Sequence, residues 1–225
     1  MNHSFLTKTV LFHGICEEDL KKMLPCLGAH EKRFRKDEII YHTGDAVTEL
    51  GLVLSGSVNA YASFVWGSSQ IICHAGIGDI FAESFAAIPG KELPGDIAAA
   101  EDGSVLFIDM NRLLNVCPST CSFHSRLIRN LVKLYAAESL KLSGRMMHTA
   151  PRSIRRRILV YLSDQVRENG SMRFTVPFSR QQMADYLGVD RSAMSNELSK
   201  LQKEGLITYR KNEFVLNWAN AVSLQ

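Results

Sequence analysis

Hydrophobic residues between about positions 31 and 115 come in short runs, and glycine, aspartate and serine separate one run from the next. The clearest turn signals are Thr43-Gly44-Asp45, Gly76-Ile77-Gly78-Asp79 and Asp102-Gly103-Ser104. Many short strands at close spacing are typical of an antiparallel barrel or jelly roll. The apolar runs that we interpret as strands are Glu38–Tyr41, Leu50–Leu54, Val58–Val65, Gln70–His74 and Val105–Ile108.

A helical repeat replaces this pattern from Pro118 to about His148. Apolar residues recur there at heptad-like spacing, and a second row lies beside the first. Such a helix has more apolar surface than one partner covers, so we expect one face on the sheet domain and the other on a second copy of the chain. A buried helix in a monomer is the alternative. The first row is Ile128, Leu131, Tyr135 and Leu142, and the second is Leu127 and Leu134.

Two further helices flank these regions. A short helix is predicted over Glu17–Leu24, ending before Pro25. Thr149-Ala150-Pro151 predicts a hinge, because proline disfavours helix in the residue before it and suits the first turn of the next helix. That next helix is predicted over Pro151–Arg167, and a short strand over Met172–Pro177 follows it. The inward residues of the helix would be Ile154, Ile158, Leu159 and Leu162.

The segment that follows predicts two short helices joined by a tight turn. Ser179 is a good N-cap and Gln182 stands three residues later, as in a capping box, so the first helix begins directly after Ser179. Gly188 stands where a left-handed residue would end that helix. Asp190 then caps a second helix over about 190–203. The buried stripe of the second helix is predicted to be Met194, Leu198 and Leu201.

Successive residues of a helix are rotated by about 100°, so the face opposite this stripe can be read from the sequence. Its side chains are polar, short and on balance positive. Such a face suits a DNA major groove, where base edges need hydrogen-bonding side chains and phosphates need cations. An ordinary helical hairpin with a solvated face is the alternative interpretation. Together with two residues at the start of the first helix, the predicted DNA-binding set is Arg180, Gln181, Arg191, Ser192, Ser195, Asn196, Ser199 and Lys203.

The residues after the second helix strengthen the DNA-binding interpretation. The segment Glu204–Leu216 predicts a helix stop followed by two strands around a Lys211-Asn212 turn. A hairpin in this position would form the wing of a winged helix-turn-helix.

The run FSRQQMADYLGVDRSAMSNELSKLQKEGLI, residues 178–207, resembles the winged helix-turn-helix of the CRP/FNR family of bacterial transcription regulators, and the similarity in layout covers nearly the whole chain. The resemblance implies an α+β fold: an N-terminal antiparallel β-roll (a jelly roll like that of cyclic-nucleotide-binding domains), a long dimerisation helix and a C-terminal winged helix-turn-helix. The corresponding boundaries are 1–117 for the sensor, 118–149 for the helix with its hinge, and 150–225 for the DNA-binding domain. The implied partners are double-stranded DNA with an inverted repeat, a second copy of the chain, and RNA polymerase.

Charge and composition agree with this organisation. Residues 150–225 hold 12 Lys/Arg against 7 Asp/Glu, whereas residues 1–149 hold 14 against 16, so the net positive charge of the chain lies in the predicted DNA-binding part. Hydrophobic residues make up 46% of the chain, which is ordinary for a globular protein. No apolar run approaches the ~18 residues that a membrane span needs, and Met1–Val10 lacks the hydrophobic region of a signal peptide, so we expect a cytoplasmic protein without a membrane partner.

The sequence offers no enzyme site, and we predict no cofactor and no metal. His42 and His74 stand alone and lack the H-x-H spacing of a metal-dependent cupin enzyme. The spacing of Cys16 and Cys26 does not match the cluster-binding cysteines of oxygen-sensing family members. Cys73-His74 and the Cys117-x-x-x-Cys121 pair have ligand chemistry, but isolated residues of these types are usually structural.

The family resemblance also places an effector pocket in the β-roll, with Glu83, Ser84, Leu142 and Ser143 as its candidate residues. Glu83 would accept a ribose hydroxyl, but the segment that carries a phosphate-binding arginine in the cyclic AMP receptor protein is Leu93–Ile97 here, and it contains Asp96 and no cation. We therefore expect a small-molecule effector other than cyclic AMP, of more apolar character, or no ligand at all. A cyclic-nucleotide-binding regulatory protein that acts on a protein partner is the alternative function.

Overall fold

The computed structural model describes residues 2–63, 69–115 and 122–217. The chain divides into two compact units, Met1–Tyr135 and Ala136–Gln225. The predicted start of the long helix at Pro118 and the end of the predicted strand at Val65 lie outside the described residues. The boundaries at 117 and 149 that the resemblance implies stay a prediction.

The first unit is built on two antiparallel four-stranded sheets, with strand orders β1-β8-β3-β6 and β2-β7-β4-β5. The predicted α+β class and antiparallel β-roll are confirmed. Its strands are β1 His30–Phe34, β2 Ile39–Tyr41, β3 Glu49–Ser55, β4 Val58–Ser63, β5 Ser69–Ala75, β6 Ile80–Phe81, β7 Ile97–Ala99 and β8 Gly103–Asp109. Its helices are α1 His3–Leu6, α2 Glu17–Cys26, α3 Glu83–Ala86 and α4 Met110–Leu114, and α5 Ser122–Thr149 begins in this unit.

Three of these strands were not predicted, because none carries a strong period-2 pattern. β1 reads His-Glu-Lys-Arg-Phe and is exposed except at Phe34, yet it pairs with β8 at the sheet edge, with His30 opposite Phe107. β6 and β7 are only two and three residues long. Charge on an edge strand such as β1 protects a sheet from pairing with other chains, and it removes the hydrophobic signal from that sequence. The strands β6 and β7 are apolar but too short to show a period of two.

The interior of the roll is filled by apolar side chains around Phe107. The rings of Phe34, Tyr41 and Phe81 meet the Phe107 ring edge-on, at centroid distances of 6.1, 6.0 and 6.4 Å. A Cβ at Gly51 would lie 2.2 Å from the Phe81 ring, so this strand position has room for glycine alone. The sheets therefore close over a packed aromatic core.

The helix α2 is longer than predicted, since it runs through Pro25 to Cys26. Proline has no N–H to donate and disfavours the helical conformation in the residue before it. Pro25 is the last residue but one of α2, so the helix loses one hydrogen bond there and ends directly afterwards. The N–H of Leu27 then bonds to the carbonyl of Met23 and ends the helix.

The part of α5 that belongs to the first unit packs into the core of that unit. Leu127 and Leu131 are buried in the core of the first unit, and buried Asn130 donates hydrogen bonds to the carbonyls of Leu11 and His13. Other apolar residues along the helix are exposed in this single chain. They are Val132, Leu140, Leu142, Met146 and Met147.

The second unit holds the end of α5 and three further helices with a three-stranded sheet of order β10-β11-β9. Its elements are α6 Ile154–Asn169, β9 Arg173–Thr175, α7 Arg180–Leu187, α8 Arg191–Lys203, β10 Ile207–Arg210 and β11 Glu213–Leu216. The helix predicted from Pro151 begins at Ile154, because the Ser153 side chain accepts from the N–H of Arg156 and sets the N-cap there. No helix among the described residues is long and apolar enough to cross a membrane.

Candidate nucleic-acid interface

The first helix of the pair, α7, is fixed at both ends by local contacts. The Ser179 side chain accepts from the Gln182 N–H at 3.3 Å, and the Gln182 side chain accepts from the Ser179 N–H at 2.9 Å, which completes the predicted capping box. Gly188 ends the helix in the left-handed conformation, with φ +63°. These two predictions from the sequence are confirmed, and they set the angle at which the next helix leaves.

The second helix, α8, begins at the predicted cap. The Asp190 carboxylate accepts from the Ala193 N–H at 2.8 Å and is turned back onto its own helix. The Ser192 hydroxyl, and after it the Ala193 N–H, lowers the pKa of the Asp190 carboxyl. The ionised carboxylate faces the positive end of the helix dipole, so it stabilises the helix start without entering the exposed face.

The burial of α8 separates an inner stripe from an outer face. Met194, Leu198 and Leu201 are fully buried, as predicted from their spacing. The Ser195 residue is half-buried, and its carbonyl accepts from the Ser199 hydroxyl at 3.0 Å. The other predicted residues of this helix, all exposed, are Arg191, Ser192, Asn196, Ser199 and Lys203.

A cation that the sequence did not assign holds α8 against α6. Arg155 donates to Glu204 at 2.9 Å and reaches Glu197 at 3.5 Å, and Lys200 lies 3.2 Å from Glu197. The hydrogen bond and charge of Glu204 raise the pKa of Arg155, so the guanidinium stays charged. Arg155 therefore fixes the orientation of the exposed face of α8 from behind.

The neighbouring Arg157 joins the turn between the two helices to the segment before α6. Its guanidinium donates to the carbonyls of Leu187 and Gly188 at 3.0 and 2.9 Å, and to the Pro151 carbonyl at 2.8 Å. These carbonyls include ones left unpaired where α7 ends. Of the three consecutive arginines 155–157, two therefore serve internal contacts, which the sequence alone did not distinguish.

The two predicted DNA-binding residues at the start of α7 have protein partners. Gln181 donates to Asp185 at 2.8 Å along the same helix. Arg180 donates to the carbonyl of Lys211 at 2.7 Å, in the turn between β10 and β11. The prediction that they contact DNA stays a prediction, but their described contacts are within the protein.

The predicted wing is present as the β10–β11 hairpin, with Tyr209 opposite Phe214. Lys211 in its turn has a φ of +53°, a left-handed conformation that is costly for a residue with a Cβ. The side chains of Arg210, Lys211 and Asn212 are exposed there. They were absent from the predicted DNA-binding set, although two adjacent cations at a hairpin turn are the signal that could have added them.

The last turn of α5 is bonded to the helix pair through buried His148. Its Nδ1 lies 2.9 Å from the Tyr186 hydroxyl on α7, and its Nε2 lies 3.2 Å from the Asp164 carboxylate on α6. The Arg145 guanidinium stands 5.7 Å from the centre of the Tyr186 ring. The predicted hinge at Thr149-Ala150-Pro151 therefore has side-chain contacts on both sides of it, from His148 and from Arg157.

The predicted effector residues fall into two groups. Glu83 and Ser84 begin α3, where the Ser84 hydroxyl lies 3.1 Å from the Glu83 carboxylate. Leu142 and Ser143 belong to the other compact unit, on the exposed part of α5. Asp96, expected to face a ligand, accepts from both the N–H and the hydroxyl of Thr43 at 2.8 Å, which lowers the pKa of its carboxyl.

The residues with metal-ligand chemistry lie apart. Within residues 2–63, 69–115 and 122–217, no three His, Cys, Asp or Glu side chains are grouped as a metal would need. The His74 ring bonds to the Asn59 side chain at 2.8 Å, and Cys16 and Cys26 are exposed thiols. The Cys117 and Cys121 pair lies outside the described residues.

Two domain families match the chain, one in each part. The cyclic nucleotide-binding domain matches residues 31–120, and the Crp-like helix-turn-helix domain matches residues 156–220. Among curated proteins, none matches the chain.

Solved structures share the fold over most of the chain at low sequence identity. CprK in complex with OCPA has a TM-score of 0.61 at 16% identity, covering 92% of this chain and 94% of that one. The c-di-GMP responsive regulator CLP of Xanthomonas campestris has a TM-score of 0.51 at 21% identity, covering 88% and 97%. A CooA variant from Carboxydothermus hydrogenoformans has 0.50 at 18%, covering 90% and 89%.

Proposed function

Because the chain belongs to the CRP/FNR family of transcription regulators, we propose that it is a homodimeric regulator that binds a specific DNA sequence with α8 in the major groove. One observation carries this proposal: α8 has a fully buried apolar stripe and an opposite face of short polar and cationic side chains. A major groove admits a helix with such a face. As a DNA-binding regulator, the protein would act in the cytoplasm and work together with RNA polymerase.

The exposed side chains of α8 are of two kinds, cations that suit the phosphates of DNA and a polar amide that suits a base edge. Arg191 and Lys203 carry the charge that phosphates attract, at the first and last positions of the helix. Asn196 is central and exposed, and the geometry of an asparagine amide favours the N6 and N7 atoms of adenine. In the family that this chain resembles, many members have an arginine at the position of Asn196, and that arginine reads a guanine. The DNA site of this protein would therefore differ from theirs at that base pair.

Exposed apolar residues on α5 support the dimer. Leu140 and Met146 are 74% and 71% exposed in the single chain. Together with Val132, Leu142 and Met147 they lie on one side of the helix, and burying such side chains between two copies is favourable by about 25 cal/mol per Å². Two symmetric α8 helices would then enter major grooves about one helical turn, ~34 Å, apart.

The β-roll would be the sensory part. The match to cyclic nucleotide-binding domains supports a small-molecule site in it. The segment Leu93–Ile97 supplies no cation, and Asp96 is already bonded to Thr43, so we propose that the effector is not cyclic AMP. A less charged molecule beside Glu83 and Ser84 would meet no repulsion from Asp96.

The experiment is a DNA titration combined with sedimentation of the complex. A site selected from random DNA should be an inverted repeat that binds two chains, and a single half-site should bind much more weakly. Leu140→Asp with Met147→Asp should give monomers and abolish tight binding, whereas Val10→Asp, at an exposed apolar residue outside α5, should do neither. Absence of any selected sequence would favour a regulator that acts on a protein partner, and a wild-type monomer at micromolar concentration would contradict the dimer.

A further inference from the structure

Arg180 begins the first helix of the pair, but its side chain contacts the wing. Its Nη2 donates to the Lys211 carbonyl at 2.7 Å, in the turn between β10 and β11. Its guanidinium carbon lies 4.7 Å from the centre of the Tyr209 ring and 5.0 Å from that of Phe214. Three contacts from one side chain thus join the start of α7 to both strands and the turn of the hairpin.

These contacts suit a guanidinium better than any other side chain. A planar, delocalised cation stacks on aromatic faces while its N–H groups stay in the plane and reach an acceptor. Arg180 is half-buried, and this burial lowers the pKa of the guanidinium below its usual value. The guanidinium is thus partly shielded from solvent and already donates to an acceptor within the protein. Arg180 is therefore a poor candidate for a phosphate contact.

The rings under Arg180 belong to the core of the second unit. Phe214 is fully buried, with Tyr209 stacked on one side at 5.6 Å and Phe174 of β9 stacked at 6.3 Å. The hairpin is therefore held firmly at its strands. In its turn, Lys211 and Asn212 are exposed and have different partners. Asn212 bonds to Val176 twice, since its carbonyl accepts from the Val176 N–H at 2.9 Å and its side chain donates to the Val176 carbonyl at 3.3 Å. The Lys211 carbonyl accepts from Arg180.

We propose that Arg180 is a positioning residue that fixes the wing turn, so that the exposed cations Arg210 and Lys211 meet the DNA backbone. This inference rests on the proposed DNA-binding function. In the left-handed conformation of Lys211, its carbonyl points to Arg180 and its side chain stays in solvent. The cations that contact phosphate are then those of the wing, and Arg180 acts through them.

The salt dependence of DNA binding separates this role from a direct phosphate contact. Each phosphate contact contributes about 0.9 to the slope of log K against log salt. Arg180→Gln removes one charge, but both wing cations should then lose their phosphate contacts. The slope should therefore fall by about 1.8 per protomer, which corresponds to two contacts and not to one. We expect an affinity loss of roughly tenfold or more at moderate salt.

A double-mutant cycle with Arg210→Ala and Lys211→Ala completes the test. If Arg180 acts through the wing, Arg180→Gln should cause little further loss of affinity in a protein that already lacks the wing charges. Arg180→Lys keeps the charge but not the planar stack, so it should resemble Arg180→Gln. Additive losses, a slope change of about 0.9, and retention of binding by Arg180→Lys would overturn the proposal.

Hydrogen exchange of the DNA-free protein gives a test that does not depend on DNA. Arg180→Gln should speed exchange of the amides of the β10–β11 hairpin, while those of α8 keep their wild-type protection. The matched control is Gln181→Ala, which removes the neighbouring exposed side chain and should leave the hairpin unchanged. Unchanged hairpin exchange in Arg180→Gln would contradict the positioning role, whereas a wild-type protein that binds no DNA would contradict the proposed function alone.

Discussion

The exposed face of α8 and the candidate polar groups of the β-roll differ in how they are held. On α8, Arg191, Asn196 and Lys203 are exposed. In the β-roll, the candidate polar groups bond to one another or to neighbours: Ser84 to Glu83 at 3.1 Å, and Thr43 to Asp96 at 2.8 Å. A polymer that binds from outside needs groups that are exposed to solvent, whereas an effector in the roll would have to replace bonds that the side chains of the roll make with one another.

The difference extends to how the units are built. In the second unit, helix caps and apolar stripes join residues that are close in sequence. In the roll, the core is formed by strands that are distant in sequence. We expect each core to respond to its own substitutions. Leu198→Ala in the second unit and Leu52→Ala in the roll, both at fully buried residues, should each cost about 2–5 kcal/mol of unfolding free energy.

The measurement is denaturant unfolding followed by hydrogen exchange, read on the amides of α8 for the second unit and on those of β3 for the roll. Each variant should shift the transition of its own unit and leave the other nearly unchanged. A single transition that shifts equally in both variants would show that the chain unfolds as one cooperative unit.

Asn196→Ala tests whether the exposed face of α8 reads bases of the DNA. Loss of a bidentate contact to adenine should weaken specific binding by about 1–3 kcal/mol and remove the preference for adenine at one position of each half-site. Ser84→Ala in the roll, a substitution of similar size, should leave DNA affinity unchanged in the absence of effector. Selection from random DNA would decide, and a guanine requirement that survives Asn196→Ala would show the prediction wrong.

The cap of α7 tests how far local contacts fix the binding unit. Ser179→Ala removes one half of the capping box and should destabilise the second unit by about 1 kcal/mol. Ser179→Asp keeps an acceptor for the Gln182 N–H and should restore most of that loss. Thermal unfolding of the three proteins measures the effect, and equal stability of wild type and Ser179→Ala would contradict it.

Both units contain a carboxylate whose hydrogen bonds stabilise the folded state, and acid should remove this stabilisation. We expect a smaller change in unfolding free energy here than in the substitutions above. The pKa of Asp96 is lowered chiefly by the Thr43 N–H, and that of Asp190 chiefly by the Ser192 hydroxyl. A lowered pKa in the folded state means that each carboxylate stabilises its unit above the unfolded value of 3.8, and that this contribution is lost as pH falls below it. Asp96→Asn and Asp190→Asn should flatten the acid side of the stability curve of their own units. A wild-type profile in either variant would contradict the assignment for that residue.

Cyclic AMP should give no effect at all. Titration calorimetry with cyclic AMP and cyclic GMP should show no saturable heat up to ~1 mM, where a site of about −4 kcal/mol would begin to fill. The reason is that the roll offers Asp96 and no cation in the segment Leu93–Ile97. Micromolar binding that is lost in Glu83→Ala would overturn this expectation.

The sequence predicted most of the second unit because its signals are short-range. The capping box of α7, the Asp190 cap and the stripe of α8 each join residues three or four positions apart, so one stretch of chain contains the whole signal. In the roll, β1 was missed because its pairing with β8 joins His30 to Phe107, and nothing within Glu31–Arg33 indicates that partner. The burial of Leu127 likewise depends on contacts with residues distant in sequence, and nothing in the predicted apolar rows of α5 distinguishes it from the exposed Leu142.

The sequence by itself determined where α7 and α8 begin and end and which face of α8 is turned outward, since period and caps act within a few residues. Only the tertiary structure decided which cations are free to bind DNA. Arg155 meets Glu204 across 49 positions, and Arg180 meets Lys211 across 31. A guanidinium looks the same in sequence whether it faces solvent or an acceptor, because its partner is supplied by an element that folding brings beside it.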